Sequence, residues 1–287
     1  MVSSIPVHSP KSLRDAFAIL QQEAGRIKVL AGGTDLMVTL NARVEVPPAY
    51  LNIWPLEELR GISEVGDQIR LGALTTYTQI IRSPLVQQYA PILIQAAKSV
   101  GASQIQNRGT LGGNIVNASP AGDTLPVLSV FEAELEIGSG NATRKIPFNQ
   151  FYSGYRKTEL APEELLLAVY LPKTASTDWQ YFRKVGTRQA QAISKIVLAM
   201  LGRKDSASQK IEAIKIAYGS VAPTVIRMPQ TEALLVQQKP SLELIAQAQQ
   251  SAMREVHPIS DVRSTAEYRR LITGNILARA LQEWQRQ

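Results

Sequence analysis

Two short stretches decide the fold: AGGTDL, residues 31–36, and GTLGGN, residues 109–114. The first follows the apolar run Ile27-Lys28-Val29-Leu30 and leads into DLMVTL, so it reads as strand, glycine turn and helix start. Glycine lets a backbone turn tightly, or come close to a ligand with no Cβ in the way. Successive N–H groups in such a turn form a concave nest that favours anions, and a helix N-terminus adds to it. Gly109-Thr110-Leu111-Gly112-Gly113-Asn114 repeats the form, with hydroxyl and amide donors included. A diphosphate needs more donors than one such loop supplies. Each loop alone is more often an ordinary turn; two in one domain, each flanked by regular structure, strengthen the case for a ligand. Neither is G-x-G-x-x-G, so a Rossmann dinucleotide site is not indicated.

Outward from these loops, Ser9-Pro10 reads as an N-cap and first helical position, with Leu13, Ala16, Phe17, Leu20 and Ala24 at helical spacing and Gly25 as the stop. Strands are expected at 27–31, 50–53 and 69–74. Helices are expected to start near Thr75 and at Ser83-Pro84, and to run over 91–100. Residues 103–126 read as a long polar loop, a length that in a compact domain points to function. Asp123 there either caps a helix over 124–131 or accepts hydrogen bonds from a ribose. A hairpin is expected at 133–146 around Gly138-Ser139-Gly140-Asn141, and a strand at 165–171. After a linker at 172–178 the pattern changes to three antiparallel strands (179–185, 192–201, 211–218) and helices over 230–238, 241–256 and from Ser264 on. Ser264 and Glu267 form a capping-box pattern, and Tyr268, Leu271, Ile272, Ile276, Ala280, Leu281 and Trp284 an apolar stripe. The expected boundary is near residue 175.

The composition narrows the chemistry. At 287 residues and 45% hydrophobic, the chain suits two globular domains. It has no cysteine, which removes disulfides, cysteine nucleophiles, thiolate zinc sites and iron–sulfur clusters held by this chain. His8 and His257 are too few for a histidine metal site, and no nucleophile motif accompanies them for a Ser–His–Asp hydrolase. A borrowed cofactor is the simpler source of chemistry. The net charge of +7 is scattered rather than run together, so nucleic acid is not an expected partner. No apolar run approaches the roughly 18 residues of a membrane span, and no secretory pattern opens the chain; the expected location is the cytoplasm.

Six stretches carry a family resemblance: AGGTDLMV (31–38), NRGTLGGNIVNASPAGDTLPVL (107–128), FYSGYRKTELAPEELL (151–166), KVGTRQAQAIS (184–194), YGSVAPTVIR (218–227) and PISDVRSTAEYRR (258–270). In this order the sequence resembles the FAD-binding medium subunits of the xanthine dehydrogenase and carbon monoxide dehydrogenase family, the molybdenum hydroxylases. The resemblance implies an α+β chain. Its FAD-binding fold would be of the vanillyl-alcohol oxidase (PCMH) type, with two subdomains (about 1–55 and 56–175). A C-terminal domain (176–287) would carry a three-stranded antiparallel sheet with a helical bundle. It implies that Ala31, Gly32, Gly33, Thr34, Asp35 and Leu36 wrap the pyrophosphate of a non-covalent FAD, with Leu30 also in the cofactor site. Thr110, Gly113, Asn114 and Ser119 would add donors to phosphate and ribityl groups, Asp123 would bind the adenosine ribose, Leu166 would pack on a ring face, and Lys184 would sit near the flavin pyrimidine. For Leu166 a core role, and for Lys184 a surface charge, are the alternatives. An aromatic over the flavin is also implied; Tyr152 and Tyr155 lie in a suitable region, and neither is assigned.

The resemblance further implies a molybdopterin-binding large subunit and a small subunit with two [2Fe–2S] clusters, the whole doubled into a dimer of heterotrimers. Electrons would pass through FAD to NAD, oxygen or a quinone. No side chain of this subunit is expected to be catalytic. The competing readings are a self-sufficient FAD oxidase or dehydrogenase, which would need a positioned acid or base, and a non-catalytic partner subunit.

Overall fold

A computed structural model describes residues 5–23, 25–41, 47–140, 142–176, 178–188 and 191–286. Ala24 of the expected first helix, Asn141 of the expected hairpin turn, Thr177 of the linker, and Gln189 and Ala190 of the 184–194 stretch lie outside them.

The first unit contains β1 (Val7–His8), α1 (Leu13–Gln22), β2 (Ile27–Leu30), α2 (Leu36–Asn41) and β3 (Ala49–Asn52). Its sheet is parallel, in the order β1-β3-β2. The first helix starts at Ser12, not Ser9: the Ser12 hydroxyl accepts from the Asp15 N–H, while Ser9 receives the Asn52 amide. Ala16 and Leu20 from α1 pack with Leu51, Ile53, Leu74, Leu165 and Leu167.

The second unit contains β4 (Ile62–Val65), β5 (Gln68–Gly72), α3 (Tyr77–Arg82), α4 (Pro84–Tyr89), α5 (Pro91–Ser99), α6 (Ser103–Gln106), α7 (Leu111–Asn117), α8 (Leu125–Val130), β6 (Glu134–Gly138), β7 (Thr143–Pro147), β8 (Tyr152–Gly154), β9 (Lys157–Thr158) and β10 (Leu165–Pro172). Five strands form an antiparallel sheet, β4-β5-β10-β6-β7. Alternation decides its faces: Ile69, Leu71, Leu135 and Ile137 enter the core, while Arg70, Glu134 and Glu136 stay nearer water. In β10 this alternation vanishes because both faces are covered: Leu165 and Leu167 join the first unit's core, and Leu166, Val169 and Leu171 the second's.

The third unit contains β11 (Trp179–Val185), β12 (Ile196–Lys204), β13 (Ile211–Gly219), β14 (Ile226–Arg227), α9 (Pro229–Leu235), α10 (Leu242–Glu255) and α11 (Ala266–Gln285). Its antiparallel sheet has the three expected strands and a two-residue fourth, β14. One face (Ile196, Leu198, Met200, Ile214, Ile216) packs on α10 and α11. The other contributes Ala199 and Ala217 to the core of the second unit, under α5 and α8. This double covering brings β11 to the segment before α8. Each fully buried aliphatic side chain there contributes about 1.5–3 kcal/mol.

Two sequence expectations are corrected at α11. Its cap is Thr265, whose hydroxyl accepts from the Tyr268 N–H, not Ser264. Its first turns also face the other way: Tyr268 and Leu271 are exposed, and Arg269 and Thr273 are buried instead. Periodicity of apolar residues cannot find a buried face that is polar.

Candidate functional site

The long loop expected over 103–126 is largely helical. Thr110 caps α7, accepting the Gly113 N–H on its hydroxyl at 3.0 Å. The GTLGGN stretch is thus a cap and a first turn. Most of its N–H groups are spent on protein: Gly109 on Ile105 O, Leu111 on Thr75 O, Gly112 on Ala73 O. Its glycines permit close backbone packing. A Cβ at Gly112 would lie 2.6 Å from the Ala73 carbonyl oxygen, and one at Gly109 2.9 Å from the Tyr77 ring.

Gly32 serves the same end. A Cβ there would lie 1.8 Å from the Arg108 carbonyl oxygen, so the two glycine stretches touch backbone to backbone. Gly33 is needed instead for its conformation, φ +78°. Among the described residues, the backbone N–H groups of Gly32, Gly33, Thr34 and Asp35 donate to no protein acceptor. Met37 N–H bonds Gly33 O, and Val38 and Thr39 N–H bond Asp35 O, which closes the turn and starts α2.

Between these loops runs an open groove of about 770 Å³, within the range of ligand and cofactor pockets. Of the residues expected at the site, Leu30, Ala31, Gly32, Gly33, Thr34, Asp35, Leu36, Thr110, Gly113, Asn114 and Leu166 line it. Asn114 accepts from the Thr124 hydroxyl at 2.8 Å, and its Nδ2 has no protein acceptor among the described residues. Leu166 is 4% exposed, so its core role and its place in the groove wall coexist.

Ser119, Asp123 and Lys184 do not line the groove. Ser119 Oγ accepts the Ala121 N–H and shapes its own turn. Asp123 is not the cap of α8; that position is Thr124, with no side-chain cap bond. Lys184 is not a surface charge: its Nζ donates to Asp123 Oδ2 at 2.6 Å and to Ser99 O at 2.9 Å. Side chains in direct contact cannot serve opposite ends of an extended dinucleotide, so the adenosine ribose and the flavin pyrimidine are not both their targets. The pair stands just behind the groove wall, because Val100 follows Ser99 in the chain, Thr124 follows Asp123, and both Val100 and Asn114 line the groove. Asp123 Oδ1 is buried with no hydrogen-bond donor. The nearby Ser99 and Ser194 hydroxyls donate to the Ala96 and Ala121 carbonyls. Burial pushes the Asp123 carboxyl up to about 6, although the Lys184 ammonium opposes the shift.

Tyr77, Asn117, Arg156 and Leu160 also line the groove and were not singled out from the sequence. The signal for Tyr77 is its capping box: Thr76 Oγ accepts the Gln79 N–H, and Gln79 Oε1 accepts the Thr76 N–H. Burial, then the charge of Asp123, push the Tyr77 phenol well up. Tyr152 is tied into protein, donating to Ile115 O at 3.0 Å and packing edge-on against Phe148 and Phe151. Tyr155 is 61% exposed and absent from the groove lining.

The residues present fit a dinucleotide diphosphate. Four consecutive free N–H groups form an anion nest, the Asn114 amide offers a further donor, and the orphaned Asp123 Oδ1 offers an acceptor for a sugar or ribityl hydroxyl. No helix among the described residues is long and apolar enough to cross a membrane.

Comparison with known proteins finds relatives along the whole chain. The sequence pattern of the family "FAD binding domain in molybdopterin dehydrogenase" matches residues 3–174, and that of "CO dehydrogenase flavoprotein C-terminal domain" matches residues 180–284. The chain is 33% identical over 279 residues to the carbon monoxide dehydrogenase medium chain of Hydrogenophaga pseudoflava, covering 96% of this chain and 94% of that one. It is 32% identical over 268 residues to the xanthine dehydrogenase FAD-binding subunit of Escherichia coli O157:H7, covering 91% and 89%. A solved structure of carbon monoxide dehydrogenase from Hydrogenophaga pseudoflava, lacking the Mo-pyranopterin moiety of its cofactor, superposes with a TM-score of 0.93 at 31% identity, over 97% of this chain and 96% of that one.

Proposed function

The chain belongs to the FAD-binding subunit family of the molybdenum hydroxylases, and on that premise we propose that it is the medium subunit of such an oxidoreductase, holding FAD non-covalently in the groove between its two glycine stretches. FAD bound there would supply the redox chemistry between [2Fe–2S] clusters on a small partner subunit and an acceptor such as NAD, oxygen or a quinone. The chain's own residues bind and orient. The N–H groups of residues 32–35 receive the diphosphate, the Asn114 amide adds a donor, Leu30, Leu36 and Leu166 exclude water, and Asp123 Oδ1 accepts a ligand hydroxyl. Thr110 and Gly113 hold the α7 end, Ser119 shapes the turn before Asp123, and Lys184 keeps the Asp123 carboxyl ionised.

The observation that carries this reading is the row of four unsatisfied N–H groups at the groove. We place the domain boundary near residue 175, with a FAD-binding domain before it, itself split near residue 55, and a sheet-and-helix domain over 176–287. The two family matches, meeting between 174 and 180, support that division. With no cysteine in the chain, the clusters lie on a partner, and molybdopterin lies on a large subunit. A cytoplasmic dimer of heterotrimers completes the proposal. The test is co-expression of the chain with its partner subunits, desalting, and an absorption spectrum. Retained flavin bands, with intact FAD released by acid, are expected; a colourless complex that takes up no added FAD overturns the reading.

A further inference from the structure

Three stretches of the C-terminal half that carry the family resemblance, 184–194, 218–227 and 258–270, contribute none of their described residues to the groove lining. They converge instead on residues 119–123. Ser220, just past β13, has φ +67° and sends its N–H to Pro120 O at 2.8 Å. Its hydroxyl lies 3.0 Å from that of Ser194, and the Ser194 hydroxyl reaches Ala121 O at 3.2 Å. Its carbonyl accepts from Arg269 Nη1 at 2.8 Å. The other arm of Arg269 donates to Asp261 Oδ1 at 2.7 Å, and that oxygen also accepts the Arg263 and Ser264 N–H groups. Two successive carbonyls of the 119–123 segment, three and two residues before Asp123, are therefore held by the C-terminal half. Lys184 grips Asp123 itself from the same half.

This polar inset is costly as packing. Arg269 is 5% exposed and its Nε has no partner; Ser194 and Ser220 are buried as well. Apolar side chains of similar volume would carry no such desolvation penalty, and α11 uses them further on at Ile276, Leu277, Ala280 and Leu281. What the inset adds is direction: its hydrogen bonds end on backbone carbonyls, which fixes one placement of the segment. In that placement Asp123 Oδ2 meets Lys184, and Oδ1 is buried without a donor.

We propose that Arg269, Ser220 and Ser194 are positioning residues for the cofactor site, setting the 119–123 segment so that Asp123, behind the groove wall, keeps its buried Oδ1 without a protein donor for a ligand hydroxyl. The inference rests on the FAD reading above. It is tested on the deflavinated complex with its partner subunits, by titrating FAD and following flavin fluorescence. Arg269→Lys and Ser194→Ala are each expected to weaken FAD binding by about 10-fold, as loss of an outer partner of a ligating group does, and Asp123→Asn, which removes the ligating carboxylate itself, to weaken it at least as much. The double variant Arg269→Lys with Asp123→Asn is expected to bind no more weakly than Asp123→Asn alone, because Arg269 acts through Asp123. A purely structural Arg269 would give losses that add. Additive losses, or unchanged affinity in both folded single variants Arg269→Lys and Ser194→Ala, overturn the proposal. If Arg269→Lys does not fold, the cycle of Ser194→Ala with Asp123→Asn reads the same coupling. Wild-type complex that binds no FAD is a different result, and sinks the cofactor reading itself.

Discussion

Lys184 on β11 meets Asp123, before α8, at 2.6 Å through one carboxylate oxygen, while the other oxygen is buried with no donor. The carboxyl is half satisfied by protein. Burial, the largest influence, pushes it from its ordinary 3.8 up to about 6. A raised carboxyl binds its proton more tightly when folded, so stability from this group is greatest below about 4 and declines as pH rises to about 6. The Asp123→Asn chain should lack that decline. Urea midpoints at pH 4 and pH 7, compared between the two proteins, check this; identical pH dependence would count against it.

Removing the cation should be worse than removing both charges. Lys184→Met leaves a buried carboxyl with no counter-charge, at a cost on the order of 3 kcal/mol. Lys184→Met with Asp123→Leu should recover most of it. Chemical denaturation at pH 7 measures both, and equal losses in the single and double variants would refute the account.

The adjacent glycines should differ sharply under substitution. Gly32→Ala puts a methyl 1.8 Å from the Arg108 carbonyl oxygen, so the two loops must part. A loss of about 3 kcal/mol and a large drop in FAD affinity are expected. Gly33→Ala meets only Leu30 Cδ1 at 3.4 Å and bears the strain of φ +78°, about 1–2 kcal/mol. Thermal midpoints and FAD titration of the two variants separate these effects.

A control lies in the C-terminal domain. Gly202 packs on Trp284, where a Cβ would lie 2.7 Å from the ring, and Trp284 stacks on Trp179 at 4.7 Å. Gly202→Ala should destabilise by about 1–3 kcal/mol and leave FAD affinity unchanged, because none of these residues lines the groove. Weakened FAD binding in a folded variant would contradict that separation.

Much of this was legible in the residues. The strand at Ile27–Leu30 before AGGTDL, the helix started by Pro91 and the change of pattern after Pro172 all follow from local spacing and caps. Other features were not. Ser9-Pro10 resembles a helix start as well as Ser12 does, and only the partner of each hydroxyl separates them. The glycines of 109–113 read as a ligand loop; the structure makes them a helix turn packed on residues 73–77 that also lines the groove.

The sequence by itself determined the glycine stretches, their order, the absence of cysteine ligands and the periodicity of most elements, because these depend on neighbours a few positions apart. Tertiary structure alone decided which N–H groups stay free, that Lys184 lies on Asp123, and that Arg269 and Thr273 occupy the buried face of α11. Those outcomes depend on contacts such as Lys184 with Asp123, 61 positions apart, and Arg269 with Ser220, 49 positions apart, whose geometry no local pattern encodes.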